Sequence, residues 1–317
     1  MSVPAVSIVL PVYNAAAYVA EAVRSMLAQT FGDFELILIN DGSTDGSRDV
    51  VAGIKDDRVR VLDQQNRGLV AALNRGIREA RGEWIARMDA DDVSLPGRLE
   101  AQVGHLRRHP EIGLLGGFVS TVDATGRVLA DVVRFPETHE EIWRSLGRRP
   151  WVLCHPTAVF RREWAIEAGL YDPAYRHAED VEFFARFMTR RRAANLPEVV
   201  LRYRLRPDAV CCAFRDHGQA NANLVAKVIA RWRPGEPFRA IDRERAEADA
   251  RIARVSGRVG TRVVRSIYHC RVGRELLRGG RWGGAVKSYA RAVLDRPWSM
   301  SSYLGLAAAS LRVGGGA

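Results

Sequence analysis

The chain is predicted to be an α/β protein built on a parallel sheet, and two features of its sequence indicate this. Short apolar runs alternate with helix-like segments four times between residues 6 and 108, and successive strand–helix units of about thirty residues form parallel sheets with right-handed crossovers. With 317 residues, of which 47% are hydrophobic, the chain is long enough for one large domain and a smaller appendage.

The four strand–helix units follow one another closely. Val6–Val12 is a continuous apolar run, as in a central strand covered on both faces. Asn14 is expected to cap a helix that extends to Gln29. Three more strands are predicted at residues 34–40, 59–62 and 83–88, each followed by a helix, at residues 45–54, 69–80 and 96–108.

The pattern changes after residue 108. Paired strands are predicted at residues 112–122 and 128–135, then a short helix at 139–146, an extended apolar run at 151–160 and a helix opened by Glu179 and Asp180. From about residue 219 the chain is predicted to be helical, and residues 273–297 resemble a tetratricopeptide-like hairpin, which cannot bury its own apolar face. Residues 298–313 are apolar but too few to span a bilayer, so we expect them to complete the helical core rather than lie in a membrane interface.

The fourth predicted strand ends in three closely spaced acids, Asp89, Asp91 and Asp92. Carboxylates this close repel one another, and oxygen ligands of this kind suit Mg²⁺ or Mn²⁺. Polar side chains also follow the second and third strands, at residues 40–41 and 64–67. Because ligands bind beyond the carboxyl ends of parallel strands, the sequence predicts one site at this edge. A solvated Asp-rich turn that caps the next helix explains the three acids, taken alone, equally well.

The formal net charge of +11 is concentrated in the last third of the chain. Residues 1–209 carry 28 basic and 29 acidic side chains, a net charge of −1, whereas residues 210–317 carry 20 and 8, a net charge of +12. A basic C-terminal third attached to a neutral domain favours docking on an anionic membrane face or another acidic partner. It does not favour binding of nucleic acid.

Cysteine usage and hydropathy favour a cytoplasmic protein. Cys154, Cys211, Cys212 and Cys270 show no CxxC spacing, so we interpret them as reduced thiols. The N-terminal apolar run is too short for a cleavable leader, and no stretch approaches the roughly 20 apolar residues of a spanning helix. The expected location is the cytoplasm, with peripheral docking at the inner face of the plasma membrane as a second expectation.

Five motifs, in this order and spacing, resemble those of the family 2 inverting glycosyltransferases. They are residues 6–14, residues 40–45, residues 66–68 with 74–76, residues 89–92 and residues 179–180. The resemblance covers roughly residues 4–205. It implies a GT-A nucleotide-diphospho-sugar transferase fold, a Rossmann-like mixed sheet, over residues 1–215. Residues 216–317 are then a basic helical appendage, to which nothing carries over from the family.

The resemblance also implies how a nucleotide-diphosphate sugar, the donor, is bound. Pro11, Val12 and Tyr13 are placed around the nucleobase together with Asp41, which would accept a hydrogen bond from a base N–H. Asn66 and Arg67 are placed near the nucleotide, with Arg67 by the ribose or the phosphates. Asp89 is placed near the ribose or the metal, and Asp91 is placed as the ligand of a divalent cation, Mn²⁺ or Mg²⁺.

The base that accepts the proton of the attacking hydroxyl is matched to Asp180 rather than Glu179. Stabilisation of the helix N-terminus is the alternative explanation of these two acids. His155 and Trp151 fall on the segment that the family places along the acceptor cleft, although a core histidine is an equal expectation for His155. Arg161 and its neighbour at position 162 either reach the diphosphate of a lipid-linked acceptor or are solvated, and we favour solvation.

The expected function is metal-dependent transfer of a sugar to a hydroxyl of a glycan or polyprenyl-linked acceptor in cell-envelope polysaccharide synthesis. One alternative is a nucleotidyltransferase that makes nucleotide-sugars, but no glycine-rich activation loop follows the first strand. A second is a non-catalytic scaffold that uses the helical C-terminal region, against which the intact Asp41, Asp91 and Asp180 argue. A dehydrogenase is disfavoured because no GxGxxG follows the first strand.

Overall fold

A computed structural model describes residues 3–146, 151–207, 215–240, 242–255, 261–297 and 299–314 of the chain. Within these residues, nine strands form one mixed sheet in the order β3-β2-β1-β4-β8-β6-β9-β5, with β7 paired to β6. The strands are β1 (Val6–Val12), β2 (Phe34–Asp41), β3 (Val59–Gln64), β4 (Trp84–Arg87), β5 (Val93–Ser94), β6 (Ile112–Val122), β7 (Val128–Val133), β8 (Val159–Arg161) and β9 (Arg192–Arg204).

The first four strands are parallel to one another, which confirms the predicted series of strand–helix units. Their connections contain α1 (Val19–Leu27), α2 (Ser47–Ala52) and α3 (Leu69–Glu79), and α4 (Arg98–Arg108) follows β5. Every residue of β1 is buried. Ile8 and Leu10 pack into one hydrophobic layer and Val9 into the other, as the alternation of side chains along a strand requires. The continuous apolar run of β1 therefore reflects burial on both faces.

Asn14 does not cap the first helix, which begins only at Val19, so that expectation is wrong. Asn14 has a positive φ of 48°, and its side-chain oxygen accepts a hydrogen bond of 2.8 Å from the backbone N–H of Thr44. The residue ties the loop after β1 to the loop after β2. A capping rule that considers only neighbouring residues cannot detect this contact, because Thr44 is thirty residues away.

The second half of the sheet is mixed. β8 is antiparallel to both β4 and β6, while β9 runs parallel to β6. The predicted strand pair is confirmed as β6 and β7, and the predicted short helix as α5 (His139–Leu146). α6 (Arg162–Glu167) follows β8, and α7 (Glu179–Met188) is the helix expected after residue 178.

Two further expectations for this half need correction. The run at 151–160 is not one extended segment, because Pro156 lies in a 3₁₀ turn, His155–Thr157, and only the strand β8 follows. The thirteen-residue strand β9 was not predicted. It contains Pro197, which disfavours a central strand, and the register between β6 and β9 shifts at that point.

The C-terminal region is helical, as predicted. It contains α8 (Arg215–Arg231), α9 (Asp242–Val255), α10 (Thr261–Arg278), α11 (Trp282–Asp295) and α12 (Met300–Gly314). α8 packs against α7 and against α9, whereas α10 packs against β7. The last three helices share a small core that includes Leu129 and Leu205 of the sheet domain. Among the described residues, none of the helices has the length and apolar character needed to cross a bilayer. Cys154 and Cys270 are free thiols, and Cys211 and Cys212 lie outside the described residues.

Candidate active site

The predicted nucleotide-binding residues lie at or just after the carboxyl ends of parallel strands. Tyr13 follows β1, Asp41 ends β2, Asn66 and Arg67 follow β3, and Asp89 follows β4. β1 lies between β2 and β4 in register, so the ends of β2 and β4 are about 10 Å apart. The structure therefore brings these residues to one edge of the sheet. Pro11 and Val12 are buried while Tyr13 is half exposed, so among these three only Tyr13 presents its side chain outward.

The carboxylate of Asp41 is held by the loop after β3. One oxygen accepts hydrogen bonds from Gln64 Nε2 at 2.7 Å and from the backbone N–H of Arg67 at 2.9 Å, and the other accepts one from Gly68 N–H at 2.8 Å. A carboxylate offers about four acceptor positions, so one remains. Asp41 thus orders the Asn66–Arg67 loop, whose side chains are exposed.

Asp89, Asp91 and Asp92 form a cluster in which one carboxylate oxygen from each lies within 4.8 Å of the others. Arg87 Nη1 lies 2.5 Å from Asp89 Oδ2, and Arg206 Nε lies 2.8 Å from Asp91 Oδ2. Asp92 is buried; its Oδ1 accepts the backbone N–H of Arg204 at 2.8 Å, while its Oδ2 has no hydrogen-bond partner among the described residues. The cluster therefore combines paired carboxylates with one buried oxygen that has no partner.

Two arginines that complete this cluster were missed in the sequence. Arg204 ends β9, donates from Nε to the carbonyl of Asp91 at 2.7 Å and from Nη2 to Glu21 at 2.7 Å. Arg204 and Arg206 both lie over the ring of Tyr18, at 5.1 and 5.2 Å from its centroid. The alternation of arginine with apolar or aromatic residues at positions 202–206 could have indicated a strand with arginines on one face. Only the pairing of β9 with β5 and β6 brings those arginines to the acids.

Burial raises the pKa values of two of the clustered acids, Asp91 and Asp92. It raises the pKa of Asp91 to about 6, reinforced by the charge of Asp89 and opposed by Arg206. It raises the pKa of Asp92 well above the ordinary value, with the charges of Asp91 and Asp89 adding to the effect. Such crowding favours binding of a cation, because a cation stabilises the ionised form of each carboxylate.

Arg87 is a buried cation between the acid cluster and the helix that carries the predicted base. Burial lowers its pKa, but the charge and hydrogen bond of Asp89 outweigh that effect and raise the pKa above the ordinary value. Burial raises the pKa of Glu179 and of Asp180, and the Arg87 charge opposes that rise in both. β4, which directly precedes the acid cluster, therefore also carries a positive charge that acts on the acids of α7. An arginine in an otherwise apolar strand was the sequence signal for this role.

Glu179 and Asp180 are the first two residues of α7. Burial raises the pKa of Glu179 to about 7, and the charge of Asp180 adds to the shift. Burial also raises the pKa of Asp180, while the N–H of Val181, 2.8 Å from Asp180 Oδ1, opposes the rise. Glu179 is buried and Asp180 is partly exposed, so Asp180 is the more accessible carboxylate.

Asn74 of α3 fixes the segment that leads into α7. Its side-chain amide donates to the carbonyl of Tyr171 at 2.8 Å and accepts from the N–H of Tyr171 at 2.9 Å. The Tyr171 hydroxyl in turn lies 2.9 Å from His155 Nε2. Asn74 belongs to the 74–76 motif, so part of that motif acts by positioning the loop before the acids.

Three of the remaining candidates, His155, Arg161 and Arg162, have structural roles. Burial lowers the pKa of His155 well below its usual value, with Arg87 adding to the effect, so the ring is a neutral core group. Arg161 pairs across the sheet with Trp84, the first residue of β4, at the edge opposite to the acids. Arg162 donates to the carbonyl of Ile77 at 3.0 Å, near the C-terminus of α3. Trp151 is exposed.

Comparison with known proteins assigns the family. The model of glycosyl transferase family 2 matches residues 7–169. The chain belongs to glycosyltransferase family 2. This family 2 glycosyltransferase is 30% identical over 240 residues to a glycosyltransferase of Haemophilus influenzae, covering 72% of each chain. It is 32% identical over 239 residues to EpsE of Bacillus subtilis, named as a glycosyltransferase, covering 72% of this chain and 83% of that protein.

Solved structures share the fold of this family 2 glycosyltransferase. S. aureus TarS residues 1–349, in complex with UDP, has a TM-score of 0.57 at 17% identity, and the match covers 92% of this chain and 88% of those TarS residues. The mannosyltransferase PcManGT from Pyrobaculum calidifontis, in complex with GDP-Man and Mn²⁺, has a TM-score of 0.57 at 21% identity and covers 99% of this chain and 81% of the mannosyltransferase. The predictions of a GT-A fold, of C-terminal helices and of a glycosyltransferase are confirmed.

Proposed function

We propose that this enzyme transfers a sugar, with inversion and with the help of a divalent cation, from a nucleotide-diphosphate donor to a hydroxyl of a glycan or polyprenyl-linked acceptor in cell-envelope polysaccharide synthesis. One observation carries the proposal. The carboxylates of Asp89, Asp91 and Asp92 gather at the sheet edge, with one oxygen of each within 4.8 Å of the others.

The residues at this edge fit a hard divalent cation. Asp89 and Asp91 would hold it, since both are partly exposed and carboxylate oxygens are suitable ligands. The buried, unpartnered Oδ2 of Asp92 supports the fit, because such an oxygen is costly unless it meets a positive charge or a donor. A bound Mn²⁺ or Mg²⁺ supplies Lewis-acid neutralisation of the negative charge that develops on the leaving diphosphate.

The donor nucleotide would lie across the ends of β1, β2 and β3. The exposed ring of Tyr13 and the backbone at Pro11 and Val12 would border the base, and the free acceptor position of Asp41 would receive a base N–H. Asn66 and Arg67 would meet the ribose and phosphates, where the guanidinium pairs well with phosphate oxygens. Similar folds that hold UDP or GDP-Man support this placement.

Asp180 would remove the proton of the acceptor hydroxyl. Its Oδ1 already accepts the Val181 N–H, which leaves Oδ2 for the hydroxyl. A carboxylate of raised pKa is a better base near neutral pH than an ordinary aspartate. One base and one in-line attack on the face opposite to the leaving group invert the anomeric carbon, so an α-linked donor gives a β-linked product.

The basic region at residues 216–317 would bring the enzyme to the inner face of the plasma membrane. Polyprenyl-linked acceptors are embedded in a membrane, so a peripheral enzyme reaches them only from its surface. The concentration of positive charge beyond residue 210 supports this location, because cytoplasmic leaflets are anionic.

The test is a screen of UDP-, GDP- and dTDP-sugars for Mn²⁺- or Mg²⁺-dependent hydrolysis in the absence of acceptor. The wild type should hydrolyse one donor class, Asp91→Ala should lose metal-dependent nucleotide binding, and Asp180→Asn should bind donor normally without turnover. Asp57→Asn, a change at an exposed residue, is the matched control. Full turnover by Asp180→Asn would refute the assignment of the base, and hydrolysis by Asp91→Ala at the wild-type rate would refute the assignment of the cation site.

A further inference from the structure

Helix α12 is apolar on both of its faces. Ser302 and Ala309 are fully buried against the core shared with α10 and α11, and Leu306 packs beside them. The opposite stripe carries large apolar side chains: Met300 is 74% exposed, Leu304 64% and Leu311 77%, with Tyr303 half exposed between them. A helix that is apolar all round is normally buried, so the outward stripe is a surface suited to a covering partner.

The neighbouring helix α11 presents a basic outward stripe. Ala285, Tyr289 and Ala292 face the shared core, whereas Lys287, Arg291 and Leu294, at helical spacing on the other side, are exposed. Arg296, just after the helix, is exposed as well. The basic stripe of α11 and the apolar stripe of α12 thus lie on adjacent packed helices and both face away from their common core.

No exposed acid offsets these cations within the described part of the three helices. Residues 261–314 contain ten basic and two acidic side chains. Glu275 pairs with Arg278 at 2.7 Å and Asp295 pairs with Arg265 at 2.9 Å, and the two carboxylate side chains are only 12% and 14% exposed. The exposed charge carried by these three helices is therefore positive, and an exposed acid of β7, Asp131, lies 3.8 Å from Arg281.

We propose that the outward face of α11 and α12 docks on an anionic phospholipid surface. The large side chains of α12 enter the boundary between headgroups and acyl chains, and the cations of α11 meet the anionic headgroups. Peripheral binding depends on this combination of apolar area and positive charge. A second copy of the chain is a poorer occupant, because a two-fold interface sets each patch against itself and brings like charges together.

The inference deepens the proposed function, and it rests on that function only for the lipid-linked nature of the acceptor. Docking requires neither donor nor divalent cation, since all of its residues lie outside the acid cluster. A loss of vesicle binding therefore does not imply a loss of donor hydrolysis, and the reverse also holds. Both can be measured on the full chain.

The test is co-sedimentation of the full chain with vesicles of phosphatidylcholine alone and of equimolar phosphatidylcholine and phosphatidylglycerol. The wild type should prefer the anionic vesicles, and added salt should weaken binding because it screens the charges. Leu304→Gln/Leu311→Gln should lower the affinity roughly tenfold or more. Lys287→Gln/Arg291→Gln should have an effect of similar size, since each cation near such a surface contributes roughly a fivefold increase.

Matched controls change the same residue types elsewhere on the surface. Val3→Gln/Ile166→Gln replaces two exposed apolar side chains and Arg78→Gln/Arg108→Gln replaces two exposed arginines, and neither pair should affect vesicle binding. All four double variants should keep the wild-type melting temperature and donor hydrolysis. The proposal is overturned by equal binding to both vesicle types, by equal losses in the controls, by no vesicle binding, or by a concentration-dependent dimer that Leu304→Gln/Leu311→Gln dissociates.

Discussion

Replacing Glu179 by glutamine should stabilise the metal-free protein at alkaline pH. Burial, together with the charge of Asp180, raises the pKa of Glu179 from 4.5 to about 7. A pKa difference of one corresponds to about 1.4 kcal/mol, so ionisation of this carboxyl costs the folded state about 3 kcal/mol. Glutamine has nearly the same shape and carries no charge, so Glu179→Gln removes the cost.

The sign of the pH dependence follows from proton binding. Between pH 4.5 and about 7 the folded protein holds a proton on Glu179 that the unfolded chain releases. The contribution of this group to wild-type stability is therefore present at low pH and lost as the pH rises through that window. The variant should match the wild type near pH 4.5 and exceed it by about 3 kcal/mol near pH 8.

The assay is urea unfolding at both pH values in the presence of a chelator, with Glu35→Gln as the control. Glu35 of β2 is also buried, but it pairs with Arg60 at 3.0 Å and with Arg81 at 2.9 Å. Burial raises its pKa, but the hydrogen bonds from Ser7, Arg81 and Arg60 outweigh that effect and hold the pKa below the ordinary value, so replacing this carboxylate should destabilise the protein at pH 8. The two substitutions should thus have opposite signs at pH 8. If Glu179→Gln is destabilising there, or shows no gain between pH 4.5 and 8, the placement of Glu179 in an electrostatically costly site is wrong.

Three further predictions follow from the same geometry. Asn74→Ala removes both hydrogen bonds to the backbone of Tyr171; kcat should fall roughly ten- to hundredfold with the donor KM nearly unchanged, because the loop before the base is displaced. Gly76→Ala would place a Cβ 2.5 Å from Val9 Cγ1, so urea unfolding should show a loss of about 1–3 kcal/mol from overpacking of α3 on the sheet. Nucleotide-dependent Mn²⁺ affinity, measured by calorimetry, should fall roughly tenfold from pH 7 to pH 5, because the pKa of Asp91 is raised to about 6 and the metal binds the ionised carboxylate. An Asn74→Ala variant with raised KM and normal kcat, a Gly76→Ala variant of wild-type stability, or a pH-independent affinity would each contradict its prediction.

Much of the sheet edge could be predicted because its signals are local. The apolar runs of β1, β2 and β4 end at Val12, Asp41 and Arg87, and parallel strands place such ends together whatever the rest of the chain does. The convergence of Asp41 and Asp89 at one edge therefore needed only the order of strands and helices. The roles of Asp41, Asp91 and Asp180 toward a donor stay predictions.

Other parts of the site depend on contacts that no local pattern encodes. Arg204 reaches Asp92 across 112 residues, and only the register of β9 decides which of its arginines meets the acids. Pro197 obscured that strand. Asn14 was assigned to a helix cap because the type of residue suits a cap, whereas its partner is Thr44 in another loop. Long-range pairing of polar side chains was thus the part that the sequence did not reveal.

The most direct test of the account is a titration of Mn²⁺ followed by electron paramagnetic resonance, with UDP and then GDP present. The central claim is that Asp89 and Asp91 hold a cation against a nucleoside diphosphate while Asp180 remains outside its coordination. One nucleotide-dependent Mn²⁺ site should appear in the wild type, persist in Asp180→Asn and disappear in Asp91→Ala. Equal Mn²⁺ binding by the wild type and Asp91→Ala, or its loss in Asp180→Asn, would contradict the account.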